Sequence, residues 1–155
     1  MKIQQANPTH INQLASLYQE AMTLLAQSDQ RLSAQVNKPM DWRAIMDDAQ
    51  SALFIGEAEA AVIGFIHGQI KAENGLMLSL VLDAHRYHGG IGRQLWQTLR
   101  TWFEEQGVTH IYLCVPRYQA VTQAFWRSLG AKTLETAHYP ESIESPAAGM
   151  TWMTF

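Results

Sequence analysis

Glycines and arginines cluster in one short polar stretch that follows an apolar run. Gly89, Gly90 and Gly92 stand between Arg86 and Arg93. Glycine reaches backbone angles closed to other residues, so consecutive N–H groups can point into one concavity, and the missing Cβ lets a bulky anion approach. If a helix starts here, the positive end of its dipole favours the same anion. The stretch therefore predicts a binding site for an anion such as a pyrophosphate.

Two common nucleotide-binding patterns fit this stretch poorly. A P-loop carries Gly-Lys-Ser/Thr where the helix begins, whereas here Arg93 and Gln94 follow the last glycine. A dinucleotide fingerprint needs a third glycine, where Leu95 stands, and an acidic residue after the next strand, where Pro116 and Arg117 stand. These departures disfavour nucleoside triphosphates and NAD. NADP, whose 2′-phosphate suits an arginine, stays open.

The elements around the glycines are a strand and a helix. The apolar run over residues 76–82 predicts a buried strand. After the turn, apolar side chains recur at the helical spacing of 3.6 residues. They are Ile91, Leu95, Leu99, Trp102 and Phe103. Gly107 then suits a left-handed C-terminal cap, so the sequence predicts strand, glycine turn and helix in that order.

This order resembles the GNAT superfamily, the acyl-CoA-dependent N-acetyltransferases, whose signature is Q/R-x-x-G-x-G/A. The residues that supply R-x-x-G are Arg86, Tyr87, His88 and Gly89. Gly90 then opens the G-I-G-x-x-L sequence that is usual at this helix entry, so the loop carries one extra residue. Residues 111–115 resemble the family's fifth strand, and residues 119–126 resemble its N-x-x-A-x-x-F-Y motif. The resemblance covers about half of the chain.

The resemblance implies a co-substrate, acetyl-CoA, and an acceptor, an amine of a small molecule, a peptide or a protein. It also implies that strands four and five splay apart, which frees main-chain groups of Leu80 and Leu82 to bind the pantetheine arm and polarise the thioester carbonyl. The residues expected to bind the coenzyme are Leu80, Val81, Leu82, Arg86, Tyr87, His88, Gly89, Gly90, Ile91, Gly92, Arg93, Gln119 and Trp126.

The catalytic groups are less clear than the coenzyme site. The family's usual general acid is the tyrosine of the F-Y pair, and Trp126 replaces it here. An indole donates a hydrogen bond but does not release a proton at neutral pH. Tyr118, expected at the exit of strand five, is the substitute candidate, and the base stays open among His67, Glu73 and Asp83. A catalytically silent domain that binds or senses acyl-CoA is therefore the alternative to an enzyme.

Composition limits the class of protein. A chain of 155 residues with 47% hydrophobic content fits one domain over residues 1–155. Charged residues make up 16% and the formal net charge is −3, which gives no electrostatic footprint for nucleic acid. The N-terminal residues lack a signal-peptide pattern and no apolar run is long enough to span a membrane, so the expected compartment is the cytoplasm. No metal is expected, since His85 and His88 form only a pair, and a homodimer is left open.

The expected fold is α/β (α+β), a GNAT-like mixed, mostly antiparallel sheet of six to seven strands flanked by about four helices. The predicted strands cover residues 2–5, 52–57, 61–70, 76–82, 109–115, 131–138 and 150–155. The predicted helices cover residues 8–27, 40–49, 90–106 and 119–130. Hairpin turns are predicted at residues 57–59 and at Asn74-Gly75. In proteins of this family, the loop over residues 28–39 borders the acceptor site.

Overall fold

The protein is a seven-stranded mixed sheet with helices on both faces. The structure, a computed structural model, describes residues 1–28, 30, 39–86, 89–141, 143–146 and 149–155. Its strands are β1 (Lys2–Gln5), β2 (Ser51–Ala58), β3 (Ala61–Lys71), β4 (Asn74–Leu82), β5 (Ile111–Pro116), β6 (Lys132–Thr133) and β7 (Met150–Thr154). Its α-helices are α1 (Ile11–Ser28), α2 (Trp42–Asp47), α3 (Ile91–Glu105) and α4 (Ala120–Ser128). The predicted fold class is confirmed.

The order of strands in the sheet is β1-β2-β3-β4-β5-β7-β6. Among the described strands, β4 and β5 pair in parallel and all other neighbours pair antiparallel. The parallel pair is joined through α3, because parallel neighbours need a crossover rather than a tight turn. The predicted strand, glycine turn, helix and strand are therefore all present, and they lie at the centre of the molecule.

The two faces of the sheet carry different helices. Helix α3 packs against β2, β3 and β4 on one face, and α1 and α2 pack on the opposite face. Glycines let α3 approach closely: a Cβ on Gly68 would lie 2.5 Å from Leu99 Cδ1, and one on Gly56 would lie 2.7 Å from Ile91 Cδ1. On the α1 face, Trp42 contacts the ring of Phe65 edge-on at 5.4 Å.

The second hairpin turn lies two residues earlier in the chain than predicted. Lys71 pairs with Asn74, so the turn consists of Ala72 and Glu73, both at positive φ (48° and 72°). Gly75 lies within β4, where a Cβ would come 3.0 Å from Phe103 ring atoms. The glycine that looked like a turn residue thus makes room for α3. The first hairpin is also shifted, with Glu59 and Ala60 at its tip.

Other boundaries differ at the ends of elements. A 3-10 helix, Pro8–His10, precedes α1, and the side chain of Asn7 caps it by accepting from the Thr9 N–H. Helix α2 is shorter than the predicted 40–49. The predicted strand 131–138 reduces to Lys132–Thr133, because the chain turns into a second 3-10 helix at Thr136–His138. Residues 29 and 31–38 of the predicted acceptor-side loop lie outside the described residues.

Candidate active site

The glycine turn forms an unblocked helix N-terminus. Gly90 is the N-cap of α3, with φ 84° and ψ 0°, and has no side chain to cap the helix. The first α-helical bond runs from the Gln94 N–H to the Gly90 carbonyl at 3.0 Å, so the N–H groups before Gln94 have no partner inside the helix. A Cβ on Gly89 or Gly90 would meet nothing within 4 Å. The space in front of these donors is open to an anion.

Two arginines flank this turn. Arg86 and Arg93 are both exposed, one before the glycines and one in the first turn of α3. Exposed guanidinium groups can swing toward an anion and bind it with several N–H donors. Tyr87 and His88, which the sequence assigned to the same site, lie outside the described residues.

A gap opens between β4 and β5. The two strands pair only over Gly75–Ile111, Leu76–Tyr112 and Met77–Leu113 in the described part of the chain. Beyond Met77, β4 continues along β3 to Leu82, while β5 follows β7 to Pro116. The strands therefore part after three pairs of residues, which leaves a wedge at the centre of the sheet.

Main-chain groups of β4 point into this wedge. The Asp83 N–H donates to the Ile63 carbonyl of β3 at 2.8 Å. In an antiparallel pair, alternate residues turn their N–H and C=O groups to opposite sides. The main chain of Val81 therefore faces β3, whereas the N–H and C=O groups of Leu80 and Leu82 face the gap.

Two cavities adjoin along the splayed part of β4. The first, of about 250 Å³, lies between α1, β4 and β5. The second, of about 520 Å³, lies at the N-termini of α3 and α4. The residues lining both are Leu80, Leu82, Thr122 and Trp126. One side of the site thus contains the glycine turn, and the other is closed by α1.

The comparisons with known proteins identify the family. A sequence model described as the acetyltransferase (GNAT) family matches residues 11–131. The chain belongs to this family. A search of curated proteins found no significant match.

Solved structures share the whole fold at low sequence identity. PaiA N-acetyltransferase from Thermoplasma acidophilum, in complex with coenzyme A, is 17% identical with a TM-score of 0.79, covering 99% of this chain and 96% of that one. Ribosomal-protein-alanine N-acetyltransferase from Brucella melitensis is 17% identical with a TM-score of 0.75, over 100% and 99% of the two chains. Aminoglycoside 6′-acetyltransferase type Ii is 19% identical with a TM-score of 0.71, over 100% and 96%. At these sequence identities, the similarity to the solved structures establishes a shared fold and does not extend to their substrates.

Trp126 is the residue that the resemblance matches to the tyrosine of the GNAT F-Y pair. It is 1% exposed, and its ring packs edge-on against Trp96 at 5.2 Å and against Phe125 at 5.0 Å. It also lines both cavities. The indole is therefore fixed by the core at the junction of the two cavities, and it cannot supply a proton there.

Tyr118 and Gln119 lie between β5 and α4. Tyr118 is 57% exposed and is not among the described residues that line either cavity. Gln119 is the N-cap of α4, and its side-chain amide donates to Ser28 Oγ at 2.9 Å. A second contact, His85 Nε2 to Glu20 Oε1 at 2.8 Å, joins the loop after β4 to α1. Two contacts thus hold α1 against the elements that border the cavities.

The candidate bases lie at three different places. His67 is 6% exposed within β3, and neither ring nitrogen has a hydrogen-bond partner in the part of the chain that the structure describes. Burial lowers the pKa of His67 to about 4, although the negative charge of Asp48 acts in the opposite direction. Glu73 is in the hairpin turn before β4, and Asp83 accepts from the His85 N–H at 2.8 Å just after β4. None of the three is among the described lining residues of the cavities.

Two titratable side chains in the lining of the first cavity are partly buried. Cys114, on β5, has its thiol pKa raised to about 12 by burial. Burial also raises the pKa of Tyr18, on α1. Both shifts disfavour a charged form, so both report a weakly solvated environment.

Helix α1 contributes a wall that sequence reasoning did not assign to the site. Tyr18, Ala21, Met22 and Leu25 line the first cavity. The available signal in the sequence was the run of apolar residues at helical spacing over residues 11–25. None of the helices among the described residues is long and apolar enough to cross a membrane.

Proposed function

We propose that this protein is an N-acetyltransferase that transfers the acetyl group of acetyl-CoA to an amine of a small molecule or protein. The observation that carries the proposal is the wedge between β4 and β5, which adjoins the open helix N-terminus at Gly90. Acetyl-CoA matches both features, because its pyrophosphate suits the helix N-terminus and its long arm, which ends in the thioester, suits the wedge. Family membership supports the same reaction class.

The residues of the glycine turn would bind the pyrophosphate. Unpaired N–H groups at the start of α3 donate to its oxygens, and the absence of Cβ atoms at Gly89 and Gly90 allows the approach. Arg86 and Arg93 add positive charge. Tyr87 and His88 belong to the same proposal on the strength of their positions in the motif.

The wedge would bind the pantetheine arm. The main-chain groups of Leu80 and Leu82 that face the gap can pair with the amides of the arm, and one N–H can polarise the thioester carbonyl. Val81 holds this strand in place because its main chain pairs with β3 and its side chain is buried. Ile91, Gln119 and Trp126 complete the surroundings from α3 and α4. When bound, acetyl-CoA supplies an acetyl group on a thiol leaving group.

Transfer forms a C–N bond and breaks a C–S bond. The ammonium form of the acceptor, with a pKa near 10, loses one proton before attack, and its nitrogen loses a second proton as the amide forms. The departing sulfur accepts one proton, so one proton is released to solvent. Trp126 cannot donate a proton to the sulfur, so Tyr118 is proposed as the general acid. Because a thiolate with a conjugate pKa of about 8.5 leaves readily, this acid accelerates the reaction without being indispensable.

A second candidate is a domain that binds acyl-CoA without turnover. Trp126 favours it, because the buried indole removes the hydroxyl on which the family usually relies. The two candidates share the coenzyme site and differ only in chemistry.

Thermal unfolding and thiol release separate the candidates. Acetyl-CoA at 100 times its dissociation constant should stabilise the protein by roughly 2.7 kcal/mol, whereas NADPH should leave the melting temperature unchanged. Thiol release that depends on an added amine supports the enzyme. Stabilisation without release from a broad set of amines would support the silent domain, and stabilisation by NADPH alone would contradict both.

A further inference from the structure

Most of the side chains that line the first cavity are apolar. Its walls on the sheet include Met77, Cys114 and Met150, and its wall on α1 includes Met22 and Leu25. The polar side-chain groups in its lining are the hydroxyls of Tyr18, Ser79 and Thr122, the thiol of Cys114 and the indole N–H of Trp126. Among the described residues that line it, none carries a formal charge.

This lining is selective against a second charge on the acceptor. An ionised group moved from water into an apolar site without a partner is strongly disfavoured. Burial raises the pKa of the Cys114 thiol and of the Tyr18 hydroxyl in these walls, which is the direction that this rule predicts. Methionine side chains are flexible and polarisable, so they can adapt to apolar bodies of different shape.

The first cavity includes the wedge between β4 and β5 and extends from it to α1, away from the glycine turn. The glycine turn and α4 border the second cavity, while the first reaches α1 on the other face of the sheet. An acceptor approaching the thioester from the side opposite the pyrophosphate site would pass the α1 wall.

We infer that the acceptor is a small primary amine on an apolar, otherwise uncharged body, and that Met22 and Leu25 of α1 help to select it. The inference rests on the proposed function and narrows it. It excludes polyamines and aminoglycosides as preferred acceptors, because they keep further ammonium groups after one amine has lost its proton.

A matched pair of acceptors tests this on the unaltered protein. n-Hexylamine and 1,5-diaminopentane have the same number of heavy atoms and differ in a terminal methyl or ammonium group. With saturating acetyl-CoA, kcat/KM should be at least about 100-fold higher for hexylamine, as expected from the cost of an unpaired charge in an apolar site. Binding to the CoA-loaded protein, measured by calorimetry, should follow the same order without requiring turnover.

A carboxylate in the α1 wall should reverse part of the preference. Met22→Glu should lower the ratio of kcat/KM for hexylamine to kcat/KM for 1,5-diaminopentane by at least about 10-fold. The diamine should become a better acceptor because the new carboxylate pairs with its second ammonium group. Leu24→Glu is the matched control, because Leu24 is on the same helix but is 46% exposed and outside the lining. It should leave the ratio unchanged. Leu25→Glu provides a second position if Met22→Glu does not fold.

The outcomes distinguish this inference from the proposed function. Equal or faster transfer to 1,5-diaminopentane, or to an aminoglycoside, would overturn the inference and leave the enzyme standing. More efficient use of hexanoyl-CoA than acetyl-CoA would mean that the cavity receives an acyl chain, and would also overturn it. Stabilisation by acetyl-CoA with no transfer to any amine would overturn both.

Discussion

His67 is a buried imidazole whose charged form the fold disfavours. It belongs to β3, between Leu53 on one neighbouring strand and Ser79 on the other. Its environment favours the neutral ring because burial outweighs the attraction of Asp48, the charged group that acts on it. A neutral buried histidine makes stability depend on pH in a defined direction.

The free energy of unfolding should fall in mild acid because of His67. The folded-state pKa of about 4 is below the usual 6.5, so the contribution is complete above pH 6.5 and is lost as pH falls toward 4. The loss due to this residue should approach roughly 3 kcal/mol. Urea unfolding from pH 7.5 to 4.5 should show a shallower decline for His67→Leu than for the unaltered chain. His138→Gln, at an exposed position, is the control, and parallel curves for His67→Leu and the unaltered chain would contradict the assignment.

Tyr118→Phe tests the proposed acid. The change removes one hydroxyl from a side chain that is 57% exposed, so stability should hardly change. If Tyr118 protonates the leaving sulfur, kcat should fall by about 100-fold, at the lower end of general acid catalysis, with the KM for acetyl-CoA unchanged. Steady-state kinetics should be measured for Tyr118→Phe and for a control variant, Tyr139→Phe, because Tyr139 is outside the described linings of both cavities. An unchanged kcat would remove Tyr118 from the mechanism.

At the scale of elements, α3 has similar glycines at its two ends. Gly90 at the N-terminus has φ 84° and Gly107 just after the C-terminus has φ 79°, and a Cβ at either would meet nothing within 4 Å. A side chain at either position therefore carries a similar backbone strain of about 1–2 kcal/mol. The two ends differ in their free main-chain groups, which are N–H donors at the N-terminus and carbonyl acceptors at the C-terminus.

Gly90→Trp and Gly107→Trp should therefore lose similar stability and differ in binding. The indole at Gly90 would fill the space in front of the free N–H groups, so acetyl-CoA should no longer raise the melting temperature of Gly90→Trp. Gly107→Trp should keep the full ligand-induced shift. Retained binding by Gly90→Trp would place the pyrophosphate elsewhere.

Sequence reasoning identified α3 and its glycine entry because their signals are local. Apolar spacing and the glycines at both ends fix the helix without knowledge of its neighbours. The turn after β3 was misplaced because Gly75 has a tertiary role, clearance for Phe103, that composition does not reveal. The strand predicted over residues 131–138 was too long for a similar reason. Residue propensity alone did not show that the chain leaves the sheet after Thr133.

At the scale of the molecule, the sheet consists of two parts. Strands β1–β4 form one, β5–β7 form the other, and three pairs of residues join them. The sequence alone did not give this division, because Leu80 and Leu82 continue an apolar pattern that is also typical of a fully paired strand. Only the resemblance to the family pointed to it. The α1 wall was missed because it requires the packing of a distant helix.

Hydrogen exchange should detect the two parts. Without ligand, amides of β5 and β7 should exchange faster than those of β2 and β3, since their part is smaller and is bordered by the short β6. Acetyl-CoA across the wedge should slow exchange in β5 and β7 more than in β2 and β3. Mass spectrometry of peptides measures this, with NADPH as control. Equal exchange in both parts before and after addition would contradict a bridging ligand.

The sulfur in the wall of the first cavity has a practical effect on any assay of this protein. Burial raises the pKa of Cys114 to about 12, so the thiolate, which is the form that attacks disulfide reagents, is scarce at pH 7. Cys114 is also the chain's single cysteine. A chromogenic disulfide added during turnover should therefore count the coenzyme that has been set free, with almost no background colour from the protein.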